Sequence, residues 1–210
     1  MKVFVAGATG RVGQAVVEQL LAKKVTVYAG GRDLGKLPVQ ANPVSMDLHA
    51  PVTDLQQLIS GCDAIIFTAG SRGKDLLQTD LNGAVKLMMA AEKAGIKRFI
   101  QLSSAYSLDQ EMWTKVPSLA QITDYNLAKY YSDRWLMDET QLDYTIIQAG
   151  SLTTKPGTGM IALNPETAGE NPISDVAKVL VECLDHDNTI HQVIMMKAGS
   201  TPVDEALGQI

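Results

Sequence analysis

The sequence predicts an α/β fold built on a doubly wound, mostly parallel sheet in three layers, helix over sheet over helix. Short β-rich runs alternate with helically spaced stretches along the chain, and such repetition requires parallel strands joined by crossovers. Several runs are nearly unbroken hydrophobics, such as Ala64-Ile65-Ile66-Phe67 and Tyr144-Thr145-Ile146-Ile147, as strands covered on both faces demand. The first run ends in Gly7-Ala8-Thr9-Gly10-Arg11-Val12-Gly13, and a helical pattern begins at once. Right-handed crossovers leave few topologies for such a chain, the doubly wound one being the commonest.

Strands are expected over 2–6, 25–29, 63–68, 97–103, 143–148 and 191–196, with a weaker one over 43–46. The spacing predicts a helix over 11–22, with Val12, Val16, Leu20 and Leu21 on one stripe. A second, over 76–94, carries Leu77, Leu81, Val85, Met88 and Met89, and Gly95 supplies its stop. Helices over 123–139 and 174–184 complete the set, the last opening on Ser174-Asp175 as a capping signal. Breakers crowd 150–172, which reads as a substrate-side loop or lid within one domain spanning 1–210. Met88-Met89 and Met195-Met196 read as core filler.

The 210 residues are 46% apolar and 20% charged, an ordinary globular mix. A net charge of −5 argues against a broad nucleic-acid-binding face. No apolar run reaches the roughly 18 residues of a membrane span, and the first run is too short for a signal-peptide core. A cytoplasmic protein acting on a small molecule, as monomer or homodimer, is expected. Cys62 and Cys183 form no framework and have no metal-ligand spacing, so both read as buried apolar residues and no metal is expected. His49, His186 and His191 are scattered and read as surface or packing residues.

The glycine loop carries the first chemistry. One glycine must end the strand in a tight turn, another must let backbone approach a pyrophosphate, and a third must let helix and strand pack closely. The helix N-terminus then presents free N–H groups to the phosphates. Gly7, Thr9, Gly10, Arg11, Val12 and Gly13 are therefore the expected dinucleotide contacts. The spacing is G-x-x-G-x-x-G, with the middle glycine serving the close approach. Arg11 sits in the first turn, where the helix dipole disfavours a cation unless an anion lies in front of it. The second strand ends in Gly30-Gly31-Arg32-Asp33, and Arg32 with Arg11 is placed to meet a 2′-phosphate. NADP is expected over NAD, with Asp33 the residue that would serve NAD. Asp47-Leu48 and Thr68-Ala69-Gly70 suit an adenosine pocket, Asp47 accepting from the adenine amino group and the small residues allowing close approach to a ribose. Arg72 and Lys74, in the next loop, read as a mobile basic segment in preference to a clamp on an anionic substrate or the pyrophosphate.

Tyr125 and Lys129 stand four apart on a predicted helix, hence on one face. A cation beside a tyrosine favours the phenolate and brings it towards a useful acid–base range. The same lysine can reach a nicotinamide ribose. Ser103 and Ser104 end the fifth strand, at the edge where open α/β sheets bind ligands, so that one hydroxyl can hold a substrate carbonyl.

Together with Ile147-Gln148-Ala149-Gly150-Ser151-Leu152 and Ile173-Ser174-Asp175-Val176-Ala177, these motifs resemble the short-chain dehydrogenase/reductase superfamily over essentially the whole chain. The likeness is greatest to its atypical, single-domain branch of NmrA-like and flavin/biliverdin-reductase-like proteins. The resemblance implies a Rossmann fold, with Tyr125 as acid–base residue, Lys129 as its partner and Ser104 as the active-site serine. The arginine–proline pair usual after the sixth strand is Gln148-Ala149 here. The leading expectation is an NADP-dependent reductase of a small carbonyl, quinone or flavin-like acceptor. The alternative is a cofactor-binding redox sensor without turnover, whose partner contacts would need an exposed apolar patch. A sugar-nucleotide epimerase is disfavoured because so little chain follows Gly150 to build a substrate lobe.

Overall fold

The computed structural model describes residues 1–210. Its strands, in chain order, are β1 (Lys2–Ala6), β2 (Thr26–Gly31), β3 (Asn42–Ser45), β4 (Ala64–Phe67), β5 (Arg98–Ser104), β6 (Asp143–Ala149), β7 (Ser151–Thr153), β8 (Met160–Leu163), β9 (Glu170–Pro172), β10 (Gln192–Ala198) and β11 (Thr201–Pro202). Its α-helices are α1 (Arg11–Ala22), α2 (Val52–Ile59), α3 (Ala84–Lys93), α4 (Gln110–Lys115), α5 (Pro117–Ala120), α6 (Thr123–Asp138), α7 (Ile173–Glu182) and α8 (Val203–Leu207). The main sheet runs β11-β8-β10-β6-β5-β4-β1-β2-β3. Pairing is parallel from β10 through β3, whereas β8 runs antiparallel to both β10 and β11. The chain steps outward from β1 to β3 and then returns to β4 on the other side of β1, which places the switch point between β1 and β4.

Unbroken hydrophobicity in the central strands has the cause expected of it. Along β1, Val3 and Val5 enter one core with Val12, Val16 and Leu20 of α1 and Val176, Val179 and Leu180 of α7. Phe4 and Ala6 enter a second core, on the opposite face, with Leu55 of α2, Leu87 and Met88 of α3 and Leu136 of α6. Alternate side chains of one strand thus serve two helix layers.

The first crossover depends on backbone contact. Gly7 adopts φ +83, and a Cβ there would lie 2.6 Å from the backbone of Ala69. A Cβ on Gly13 would lie 2.1 Å from the Gly7 carbonyl oxygen, so α1 rests directly on the turn after β1. Gly10 is different: its φ and ψ of −78 and 167 suit any residue, and its nearest conflict is the Gly7 oxygen at 3.2 Å.

Several expectations need correction. The stretch before α3 is π-helical over Leu76–Gly83, so its buried face does not follow a period of 3.6. Leu77 is consequently 70% exposed while Asp80 is turned inward. Helix α7 starts one residue early, at Ile173, and no side chain caps it. Asp175 instead accepts from the Gly159 and Thr158 N–H groups at 2.9 and 3.1 Å, pinning the preceding loop. That loop, 150–172, contains three short strands. β7 pairs with β9, and β8 extends the main sheet because its Ile161, Ala162 and Leu163 find open hydrogen-bonding groups on β10. Helices α2, α4, α5 and α8 were not foreseen. Each is short, and α2 buries only Leu55 and Ile59, too little for a periodic signal.

Two substitutions separate the packing glycine from the lining glycine. Gly13→Ala is expected to destabilise the fold by about 1–3 kcal/mol or more, because α1 must shift off the turn. Gly10→Val is expected to leave a near-native melting temperature while abolishing dinucleotide binding. Thermal melts with cofactor titrations check both, and a Gly10→Val variant that binds normally would remove the phosphate cradle.

Candidate functional site

Two clefts open at the carboxyl edge of the parallel strands. The first, of about 310 Å³, is lined from the ends of β1, β2 and β4 and the loops that follow β3 and β4. Gly7, Thr9, Gly10, Arg32, Asp47, Leu48, Thr68, Ala69 and Gly70 all line it. Thr68 holds the edge shape by donating from Oγ1 to the Ala6 carbonyl at 3.0 Å.

The cations of this cleft differ from expectation. Arg32 lines it together with Arg72 and Lys74, so the basic loop after β4 belongs to the wall. Arg11 is exposed and lies outside the lining, and no convergence of Arg11 with Arg32 is seen. Val12 is buried in the core and Gly13 is used for packing. What this turn offers a ligand is backbone: α1 has no side-chain cap and no acidic residue in its first turn, leaving its first N–H groups available. Asp33 lies outside the lining, and its Oδ2 sits 2.9 Å from the Lys36 ammonium, which holds its carboxyl below the ordinary range.

The second cleft, of about 430 Å³, is mainly apolar and is lined from the ends of β5 and β6, from α5, the start of α6 and the 150–172 segment. Ser103, Ser104 and Tyr125 line it. The Ser103 hydroxyl donates inward to Asp133 Oδ2 at 2.5 Å, which leaves Ser104 as the β5 serine facing the cleft with an uncommitted hydroxyl, alongside the exposed Ser118 and Ser151. The pair β4–β5 places Phe67 beside Gln101, so the two clefts occupy neighbouring strand ends.

Lys129 lies behind Tyr125, only 3% exposed, and donates to the Leu102 carbonyl at 2.9 Å. Burial pulls its ammonium below the ordinary value, while Asp133 and Asp80 pull it back up. The expected effect on Tyr125 is not seen. Burial first, and then the negative charges of Asp80 and Asp133, hold the phenol above its usual value, the direction opposite to the phenolate expected.

Asp133 organises this region, and residue-by-residue reading missed it. It is fully buried and accepts from Gln101 Nε2 at 2.6 Å and from Ser103 and Ser107 hydroxyls, each at 2.5 Å. Burial pushes its carboxyl up, against the Lys129 charge and these donors. Gln148, in the place of the usual arginine, donates to Ser107 Oγ at 2.8 Å and ties β6 into the same network. The spacing held a signal for Asp133, since Tyr125, Lys129 and Asp133 continue one face of α6 at four-residue steps. Asp80 had none. It is 1% exposed, accepts from the Ser71 N–H at 2.9 Å, and keeps its Oδ1 buried without a partner beside Gly70.

A doubly wound sheet with a glycine turn at its first crossover and a cationic cleft at its switch point defines a Rossmann-fold dinucleotide-binding protein. The chain belongs to the NAD(P)H-binding family NAD_binding_10, whose model matches residues 7–187. It is 35% identical to the Bacillus subtilis protein named uncharacterized sugar epimerase YhfK, over 100% of both chains. It is 31% identical to the photosystem II assembly factor Ycf39 of Synechocystis, over 90% of this chain and 60% of that one. Among solved structures, the oxidoreductase ylbE of Lactococcus lactis superimposes with a TM-score of 0.97 at 42% identity, covering 100% of this chain and 96% of that one. These relatives agree with the atypical short-chain dehydrogenase/reductase resemblance.

Asp133→Ala strips three buried donors of their common acceptor and the buried Lys129 ammonium of a nearby counter-charge, so it is expected to cost about 3–5 kcal/mol of unfolding free energy. Denaturant titration checks this. A loss below about 1 kcal/mol would mean that the network does not hold α6 to the sheet.

Proposed function

We propose that the chain is an NADP-dependent reductase of a small carbonyl or quinone-like acceptor, with Tyr125 as proton donor. The observation that carries the reading is the juxtaposition of a cationic cleft and an apolar one at adjacent strand ends, with Tyr125 and Ser104 on the wall of the second. Arg32, Arg72 and Lys74 supply the positive charge that a 2′-phosphate and pyrophosphate require, and Asp33 is engaged by Lys36 outside the lining. That division favours NADP over NAD.

Bound cofactor supplies a hydride to the acceptor carbon. The protein's own part is orientation and the proton. Tyr125 holds a proton at Oη because burial and two nearby carboxylates disfavour the phenolate, and it delivers that proton to the acceptor oxygen. Ser104 offers a second hydroxyl to the same oxygen. Lys129 balances the buried carboxylates under the site, and its neighbour Leu102 is a wall residue. Leu152, Ala168 and Gly169 make the 150–172 segment the substrate-side wall.

A second reading, a cofactor-loaded binding protein without turnover, draws on one surface. Leu127, Tyr131 and Trp135, at four-residue steps along α6, are 41%, 56% and 39% exposed. The assembly-factor name of the Synechocystis relative suits that reading too.

Arg32→Ala is expected to weaken NADPH binding by about 10- to 100-fold while NADH binding hardly moves. Titration of both cofactors decides it, and equal affinities in the parent protein would refute the NADP assignment. Tyr125→Phe is expected to lower turnover of a true acceptor by about 10²–10⁴ with cofactor affinity kept. Reduction needs the protonated phenol, whose ionisation lies above the ordinary 10.0. The reductive rate should therefore show no Tyr125-dependent loss from neutral pH up to that value, while alcohol oxidation, which needs the phenolate, should rise with pH. A pH–rate comparison of parent and variant tests this. A reductive rate that falls between about pH 7 and 9 in the parent only would contradict the donor role.

A further inference from the structure

We propose that the acceptor taken by the second cleft is an uncharged, mostly apolar carbonyl compound, and that carboxylated or phosphorylated molecules, nucleotide sugars among them, are excluded from it. The inference rests on the reductase reading for the word acceptor, but its physical basis is the lining itself. No arginine, lysine or histidine contributes to the wall. The one charged lining residue is Glu170, an exposed side chain paired with Lys155 at the rim. The walls are aliphatic, with Leu102, Val116, Leu119, Ile122 and Leu152 facing the space.

The polar groups available inside are few. Ser103 is committed to Asp133, and the Tyr106 hydroxyl accepts from the Ala168 N–H at 2.9 Å. Tyr125 and Ser104 remain at the strand end, and the exposed Ser118 and Ser151 add neutral hydroxyls to the lining. Behind them lie the buried Asp133 and Lys129, while Asp80 is held on the Gly70 and Ser71 side. An anion entering would give up hydration with no cation in the wall to receive it. The contrast with the first cleft, which carries Arg32, Arg72 and Lys74, is a division of labour by charge. A space of about 430 Å³ lies within the range of small-molecule sites. A nucleotide diphosphate sugar needs cations for its phosphates, so the sugar-epimerase name of the Bacillus relative does not transfer to this cleft.

Trp113 gives a readout independent of turnover, since its Nε1 donates to the carbonyl of the lining residue Tyr106 at 2.8 Å. In a Trp135→Phe background, the NADP-loaded protein is titrated with 4-methylbenzaldehyde, with its near-isostere 4-formylbenzoate, and with UDP-glucose, following Trp113 fluorescence. NADPH oxidation is then measured with both aldehydes. The neutral aldehyde is expected to bind at least about tenfold tighter than the carboxylate, and UDP-glucose to give no saturable response. Glu170→Lys should recover carboxylate affinity by no more than about fivefold, as an exposed charge contact allows. Equal or tighter binding of 4-formylbenzoate or UDP-glucose overturns the proposal, as does the absence of any saturable response to the neutral aldehyde. If the binding preference holds but no aldehyde is reduced, the reductase reading falls and the exclusion of anions stands. If the aldehydes are reduced with the carboxylate preferred, the reverse is true.

Discussion

Because the strands from β3 across to β10 run parallel, each connection must carry the chain back over the full height of the sheet, and every strand then releases it at the same edge. Both clefts follow from that constraint. The ends of β1, β2 and β4 bring glycines, threonines and cations together, whereas the ends of β5 and β6 bring serine, alanine and glycine beside the aliphatic residues of α5. Residues far apart in the chain become one site without any of them needing a long reach. The switch point between β1 and β4 adds the opening, since the crossover helices depart there to opposite faces.

The edge would be a set of loose loops were it not fastened from beneath. Asp133 gathers donors from β5 and from the turn that follows it, with Lys129 one helical turn away, while Gln148 extends the network to β6. In a low-dielectric interior a network of this kind is stiff, and the same interior makes an unpaired atom, here Gln101 Oε1, costly. The network therefore fixes α6 against the sheet, and with it the direction in which Tyr125 faces. The helix does two jobs on two faces: its buried side carries titratable groups at four-residue steps, and its outer side carries Leu127, Tyr131 and Trp135.

Relatives that share this fold carry names as different as oxidoreductase, sugar epimerase and assembly factor. A fold alone does not choose among such chemistries. In this chain the second cleft differs from the first in that its wall holds no arginine, lysine or histidine.

The parallel strands, the glycine turn and the two helix layers were legible in the sequence because each depends on local periodicity or on adjacent residues. The same holds for Tyr125 with Lys129, since helical spacing alone sets them on one face. What failed was whatever depends on distant partners. The inward turn of Asp80 comes from a π-helical register, the sheet structure of 150–172 comes from an open edge on β10, and the placing of Arg72 and Lys74 in the wall comes from a loop that folds over the switch point. The direction of the Tyr125 shift belongs to the same group: a neighbouring lysine in the sequence favours the phenolate, but desolvation and two carboxylates brought in by the fold outweigh it. Sequence determines which residues can share a strand or a helix face. Burial and long-range charge, which set what those residues do, exist only once the chain has closed around them.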